Sequence, residues 1–369
     1  MTLRRETSTG LLALIREGRP MTLGQQIHLT VMLSVPAVVA QLSSIVMQYI
    51  DAAMVGSLGA EEAAAIGLVS TTTWLFWGLC IASSTGFSVQ VAHRIGAGDM
   101  QGARNVLRQA VTSTTLFSFA LAAIGVAISG VLPEWLGGDV SIHHDASLYF
   151  LIFSLFLPAL QLNFLAGGML RCSGNMRIPS LLGVVMCVLD VIFNFFLIFP
   201  TRHAVVAGID IFIPGAGLGV EGAALGTVAA ETVVATIQMW YLCTHSSELK
   251  LTKEKGSFRP QVNILKKALR IGLPMGLEHV VICGAQIMTT VIVAPLGVFA
   301  IAANSFAITA ESLCYMPGYG ISDAATTLVG QSVGAKRRRL TRSFAFITVF
   351  MGMIIMGLRS EEHTSELQS

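Results

Sequence analysis

The chain has 369 residues, of which 53% are hydrophobic and only 12% charged, with a net charge of +2. A soluble domain carries roughly 25% charged residues, so this composition, with a mean hydropathy of +0.71, excludes an ordinary soluble enzyme and predicts an all-α polytopic membrane protein. Six cysteines, at 80, 172, 187, 243, 283 and 314, have no metal-ligand spacing and read as small buried hydrophobes.

Residues 1–28 read as a cytoplasmic N-terminal segment. Its run LLALI, residues 11–15, is too short for a secretory signal and is expected to start an interfacial helix. Apolar stretches long enough to cross a hydrocarbon core then recur near 29–54, 64–92, 106–132, 146–170, 179–199, 220–243, 270–294, 299–330 and 341–358. The first span carries Asp51, and Gln41, Ser44, Gln48 and Asp51 follow one another at helical steps on one face. A carboxylate at membrane depth is costly unless paired, hydrated or protonated, which marks it as a functional candidate.

Further along, Trp74 and Trp77 in the second span could line a cavity, and His143, His144 and Asp145 fall in an outside loop. Gly96-Ala97-Gly98 follows no strand and is no phosphate loop; Gly86, Gly167, Gly168, Gly318 and Gly320 suit close helix packing. Pro36, Pro158 and Pro317 should kink their spans. In the fifth span Asp190 and Asn194 stand one turn apart; Thr227 and Glu231 lie in the sixth. The basic stretch 244–269 reads as a solvated linker without the aromatic interleaving of a nucleic-acid surface. Beyond it come Glu278, His279 and Gln286 in the seventh span, and Glu311, Tyr315, Tyr319 and Asp323 in the eighth.

With the N-terminus cytoplasmic, nine spans place 21 of the 23 Lys and Arg residues on the inside, as the positive-inside rule requires. An offset of 238 residues then aligns the chain with itself: Pro36 falls on Pro274, Gln48 on Gln286, Leu58-Gly59 on Leu296-Gly297, Thr71 on Thr309, Gly96-Ala97 on Gly334-Ala335 and Arg104 on Arg342. Both copies enter from the same side, so the repeat is parallel, the plan of transporters that rock two halves about a midplane site. Sequence motifs of hydrolases, such as HExxH or GxSxG at a helix start, are absent, and no enzymatic activity or cofactor is expected.

The stretches IDAAMVGSLGAEEAAAIG (50–67), VAHRIGAGDMQGAR (91–104), MLRCSGNMRIP (169–179), VLDVIFNFFLIF (188–199), GLGVEGAALGT (217–227) and YMPGYGISDAATTLVGQSVGA (315–335) resemble the multidrug and toxic compound extrusion (MATE) family of antiporters. That resemblance implies a MATE-like fold with an N-lobe at 29–243, the linker at 244–269, and the first three helices of a pseudo-symmetric C-lobe at 270–358. It implies export of cationic or amphipathic small molecules from a monomer in the inner membrane, in exchange for H+ or Na+, with the lipid bilayer and no nucleic acid as partner. It places cation coupling at Asp51, Asp190, Asn194 and Thr227, and substrate contacts at Gln48, Glu278, Gln286 and Glu311. The order Asp190 then Asn194 inverts the family's usual pair. A related flippase for lipid-linked saccharides is the alternative; it calls for a cationic cavity, whereas these spans carry acids. The tail RSEEHTSELQS, 359–369, reads as a translated sequencing adapter that ends the ninth span; three further helices are expected in the natural gene, and the chain without them is expected to be inactive.

Overall fold

The computed structural model describes residues 7–206, 209–253 and 256–366, without the side chains of 203–211, 253, 313–314 and 358–366. Arg4, Arg5, Lys255 and the last three residues of the tail lie outside the described residues, as do the side chains of Lys253, Cys314 and Arg359. Among the described residues the order is α1 (Ser8–Arg16), α2 (Leu23–Gly56), α3 (Ala60–Gly96), α4 (Met100–Ile128), the short α5 (Leu132–Trp135), α6 (His143–Cys172), α7 (Arg177–Ile198), β1 (Pro200–Val206), β2 (Ile209–Ala216), α8 (Gly219–Thr244), α9 (Val262–Val293), α10 (Val298–Gly334) and α11 (Arg338–Glu366).

Nine of these helices, α2 to α4 and α6 to α11, are long and apolar enough to cross a membrane when the bent α10 is taken as one span. At 1.5 Å per residue even the 22 residues of α7 cover a hydrocarbon core of about 30 Å. The alternation of direction gathers the arginine-bearing turns at one end of the bundle. Pro317 lacks the N–H that its turn would use, and α10 bends by 44° just before it, between Ser312 and Tyr315. Pro36, Pro158 and Pro274 also lie inside helices.

The internal repeat is visible in space. Helix α10 begins and ends 238 residues after α3, and α11 stands in the same relation to α4. Helix α3 packs along α9 as its counterpart α10 packs along α2, and α3 and α10 pack on each other. Position 67 meets its own counterpart: a methyl on Gly67 would lie 2.7 Å from Ser305 Cβ. At the arginine-bearing end a methyl on Gly96 would strike the carbonyl of Gln331, and one on Gly334 the carbonyl of His93, two contacts exchanged by the same offset. Small residues let the helix backbones approach this closely. A pseudo-twofold axis therefore runs between α3 and α10.

Five expectations need correction. Helix α1 does not lie on the bilayer: Leu11, Leu12, Leu14 and Ile15 are buried against Leu29 and Leu33 of α2, Met176, Ala324 and Leu328 of α10, and Leu340 and Phe344 of α11. Arg16 pairs with Glu248 at 3.2 Å, and Arg337 donates to the Leu14 and Arg19 carbonyls. The linker is docked rather than loose, since Arg104 donates to the Glu248 carbonyl, Arg108 to that of Leu251, and the Gln261 N–H to Gln109 Oε1; α9 already starts at Val262. His143, His144 and Asp145 form the first turn of α6, not a loop, and His143 Nε2 lies 2.9 Å from the Gly138 carbonyl. Helical backbone continues past 358 to Glu366. An antiparallel hairpin, β1 with β2, joins α7 to α8 where the sequence reading placed only a connection.

Candidate functional site

Four helices bring the site together. Helix α7 sets Asp190 and Asn194 one turn apart, so both point toward α2 and α8, the helices packed on either side of it. Asn194 Nδ2 donates to Asp51 Oδ1 at 2.9 Å and to Asp190 Oδ2 at 3.1 Å, bridging the two carboxyls. These carboxyls are also within hydrogen-bonding reach of each other, and Thr227 on α8 reaches Asp190 while its hydroxyl donates to the Ala223 carbonyl at 3.1 Å. Asp190 and Asn194 are each only 1% exposed, and Asp190 Oδ1 and Asn194 Oδ1 are buried without a hydrogen-bond donor.

Buried acceptors without donors are costly, and two neighbouring carboxyls in such surroundings cannot both stay ionised unaided. The arrangement can satisfy itself by taking up a proton or by holding a small hard cation among carboxylate, amide and hydroxyl oxygens. Among the described residues no cluster of three or more His, Cys, Asp or Glu is arranged to hold a metal ion.

Three contributors were not singled out from the sequence. Gly226, the residue before Thr227, has no side chain because a methyl there would overlap Asn194 Oδ1. Tyr149 on α6 lies within electrostatic reach of both Asp51 and Asp190. Cys187, three residues before Asp190, lies 3.9 Å from the Ser44 hydroxyl on the Asp51 face of α2. Only Gly226 left a trace, in the last glycine of GLGVEGAALGT.

The remaining candidates separate from this group. Gln48 and Gln286 are half-buried on α2 and α9, while Glu278 and Glu311 are exposed. Glu278 and Glu311 lie instead near the pair Tyr315 and Tyr319, whose rings meet edge to face at 5.9 Å. His279 packs on Gly78 of α3, where a methyl would come within 2.6 Å of its ring. Trp74 packs at a tilt on Trp77, which in turn meets Phe153 and Phe164 at steep angles. Asp323 forms an interhelical ion pair with Arg171 at 3.2 Å, and Thr327 and Gln331 beside it donate to the Arg171 and Cys172 carbonyls.

Comparison with known proteins places this geometry in context. The chain is 27% identical over 305 residues to a probable multidrug resistance protein NorM of Thermotoga maritima, which covers 82% of this chain and 62% of that protein. It is 25% identical over 341 residues to a protein of the same description from Pseudomonas syringae pv. tomato, covering 90% of this chain and 70% of that one. The chain thus spans about three fifths of the length of the first of these relatives. Its fold matches that of a MOP superfamily transporter from Pyrococcus furiosus, with a TM-score of 0.77 at 21% identity over 93% of this chain and 71% of the other. The MatE family model matches residues 36–196 and again 274–360, two stretches that start at Pro36 and Pro274, the prolines superposed by the 238-residue offset, and the chain belongs to the MatE family.

Proposed function

We propose that the protein is a secondary active exporter of cationic or amphipathic small molecules, driven by H+ or Na+ entering at Asp51 and Asp190. One observation carries this reading: two carboxyls bridged by Asn194, with buried oxygens on Asp190 and Asn194 left without donors. A proton or a sodium ion would satisfy those oxygens and neutralise the pair. A cationic substrate would favour the ionised pair and compete with the ion. Exchange follows if the two repeats tilt about the α3–α10 contact, exposing the pair to one side of the membrane and then the other. The names of the NorM relatives and of the MdtK proteins, multidrug resistance proteins 24% identical over 332 residues, support export as the activity. Acids rather than Lys or Arg at the site argue against a pyrophosphate-bearing lipid as cargo.

By this reading the bundle sits in the inner membrane with its arginine-bearing end in the cytoplasm. The test is release of a fluorescent organic cation from vesicles holding a form of the protein extended to the full length of its NorM relatives, with pH and sodium gradients imposed separately. Release should follow one gradient and be abolished by Asp51→Asn. Release that follows neither gradient, or that survives replacement of both Asp51 and Asp190, would overturn the reading.

A further inference from the structure

Glu231 is buried, 5% exposed, in the interior of the first six helices, and the cation site described above does not use it. The residue lies one turn beyond Thr227 on the same face of α8, about 6 Å further toward the arginine-bearing end. Its Oε2 accepts from Asn163 Nδ2 of α6 at 2.5 Å.

A polar seam runs through it. From Asp51 the contacts pass to Asn194, Asp190 and Thr227, and then along α8 to Glu231 with Asn163. One turn on from Asn163, a methyl at Gly167 would lie 3.2 Å from Gln238 Nε2 and 3.3 Å from Arg171 Nη1, so those two side chains border the same gap. Arg171 ends the seam in its pair with Asp323. Val228 and Val234, which flank Glu231 on α8, are buried and apolar.

We infer that Glu231 is a second proton-holding site, which takes the proton from the Asp51–Asp190 pair and passes it toward the arginine-bearing end. The step is a plain transfer: an O–H bond breaks at the Asp190 carboxyl, whose Oδ1 has no other partner, and one forms at a Glu231 oxygen, directly or through the Thr227 hydroxyl. A buried carboxylate whose one hydrogen-bond donor is a neutral amide is poorly satisfied, and its other oxygen has room to carry a proton. The ionisable groups facing this stretch of α8 are Asp190 and Cys187 of α7, Asp51 of α2 and Arg171 of α6. Direction of transfer rests on the exporter reading; proton holding by Glu231 does not.

The experiment is infrared difference spectroscopy of the 369-residue chain in lipid nanodiscs, stepped from acid to mildly alkaline pH, for the unsubstituted chain, Glu231→Gln, Asn163→Leu and Asp190→Asn. A carboxylic-acid carbonyl band that titrates, vanishes in Glu231→Gln, moves to higher frequency in Asn163→Leu and shifts its midpoint in Asp190→Asn supports the inference. Asn163→Leu keeps the carboxyl, so the assignment stands even if Glu231→Gln folds poorly. A Glu231 band that is constant throughout the titration overturns it, as does the absence of any band that the substitution removes. Failure of vesicle transport with an intact titrating band would count against the exporter reading alone.

Discussion

Asn194 holds the chemistry of the site, because one amide group satisfies a carboxyl on each of two helices. Hydrogen bonds to charged groups contribute about 1.5–3 kcal/mol, so Asn194→Leu should release α2 from α7 at this level as well as uncouple the two acids. Gly226→Ala tests the same contact from the other side. Its methyl would displace the Asn194 side chain, and sodium or proton binding, read as a change in tryptophan fluorescence, should weaken about tenfold or more, equivalent to ~1.4 kcal/mol. Unchanged binding in that variant would show that Asn194 does not organise the pair. At the membrane surface Asp99 caps α4: it accepts from the Gly102 N–H at 2.8 Å and pairs with Arg94 at 2.5 Å. The Gly102 bond, and then Arg94, hold its carboxyl below the ordinary aspartate value. Stability from a depressed carboxyl is present above about pH 4 and is lost as the pH falls through the lower folded value. Asp99→Asn should therefore keep the cap and flatten the acid limb of the thermal-stability profile, while Asp99→Ala should cost about 1 kcal/mol at neutral pH. That Asp190 and Asn194 share a face was legible in the sequence, because helical spacing fixes it, whereas the grouping of Asp51 and Thr227 with them was only implied by the family resemblance. Gly226 was not legible, since what a glycine makes room for is decided by the neighbouring helix.

At the scale of elements, α1 ties the first six spans to the last three. It lies at the wet end of the bundle, where burying Leu11, Leu12, Leu14 and Ile15 removes apolar surface from water, about 1.5–3 kcal/mol for each side chain. Ile15→Ala is expected to cost about 2–5 kcal/mol, seen as a lower unfolding midpoint in detergent. It should also speed alkylation of Cys172, which is buried close by and whose carbonyl is held by Gln331. If Cys172 reacts at the same rate with and without the substitution, α1 does not clasp that end. An amphipathic helix shows the same pattern whether a bilayer or protein covers its apolar face, which is why the sequence suggested the former. The nine spans were readable from apolar length alone. The hairpin after α7 was not, because glycine and proline interrupt its alternation and it has only one partner strand.

At the scale of the molecule, the repeat predicts that symmetry-related changes act alike. Gly96→Leu and Gly334→Leu would each push α3 and α10 apart at the same end, by colliding with the backbone at Gln331 and at His93. Their losses of thermal stability should be similar in size, and the double variant should lose less than the sum, because one separation relieves both clashes. Strict additivity would mean that the two glycines act at independent contacts. The 238-residue register was evident from the sequence, whereas the exchange of partners, α3 with α9 and α2 with α10, follows from packing that no single stretch encodes.

The meeting of Gly67 with Ser305 also bears on how freely the two repeats can differ. A residue that touches its own equivalent across a twofold axis belongs to a self-complementary surface, the kind that joins two identical subunits. In a homodimer joined by such a surface any mutation at that place is felt twice over, with two serines or two glycines as the available pairings. A single chain that carries both copies is free of that obligation, and the bare glycine on one side leaves the space that the hydroxymethyl group fills on the other.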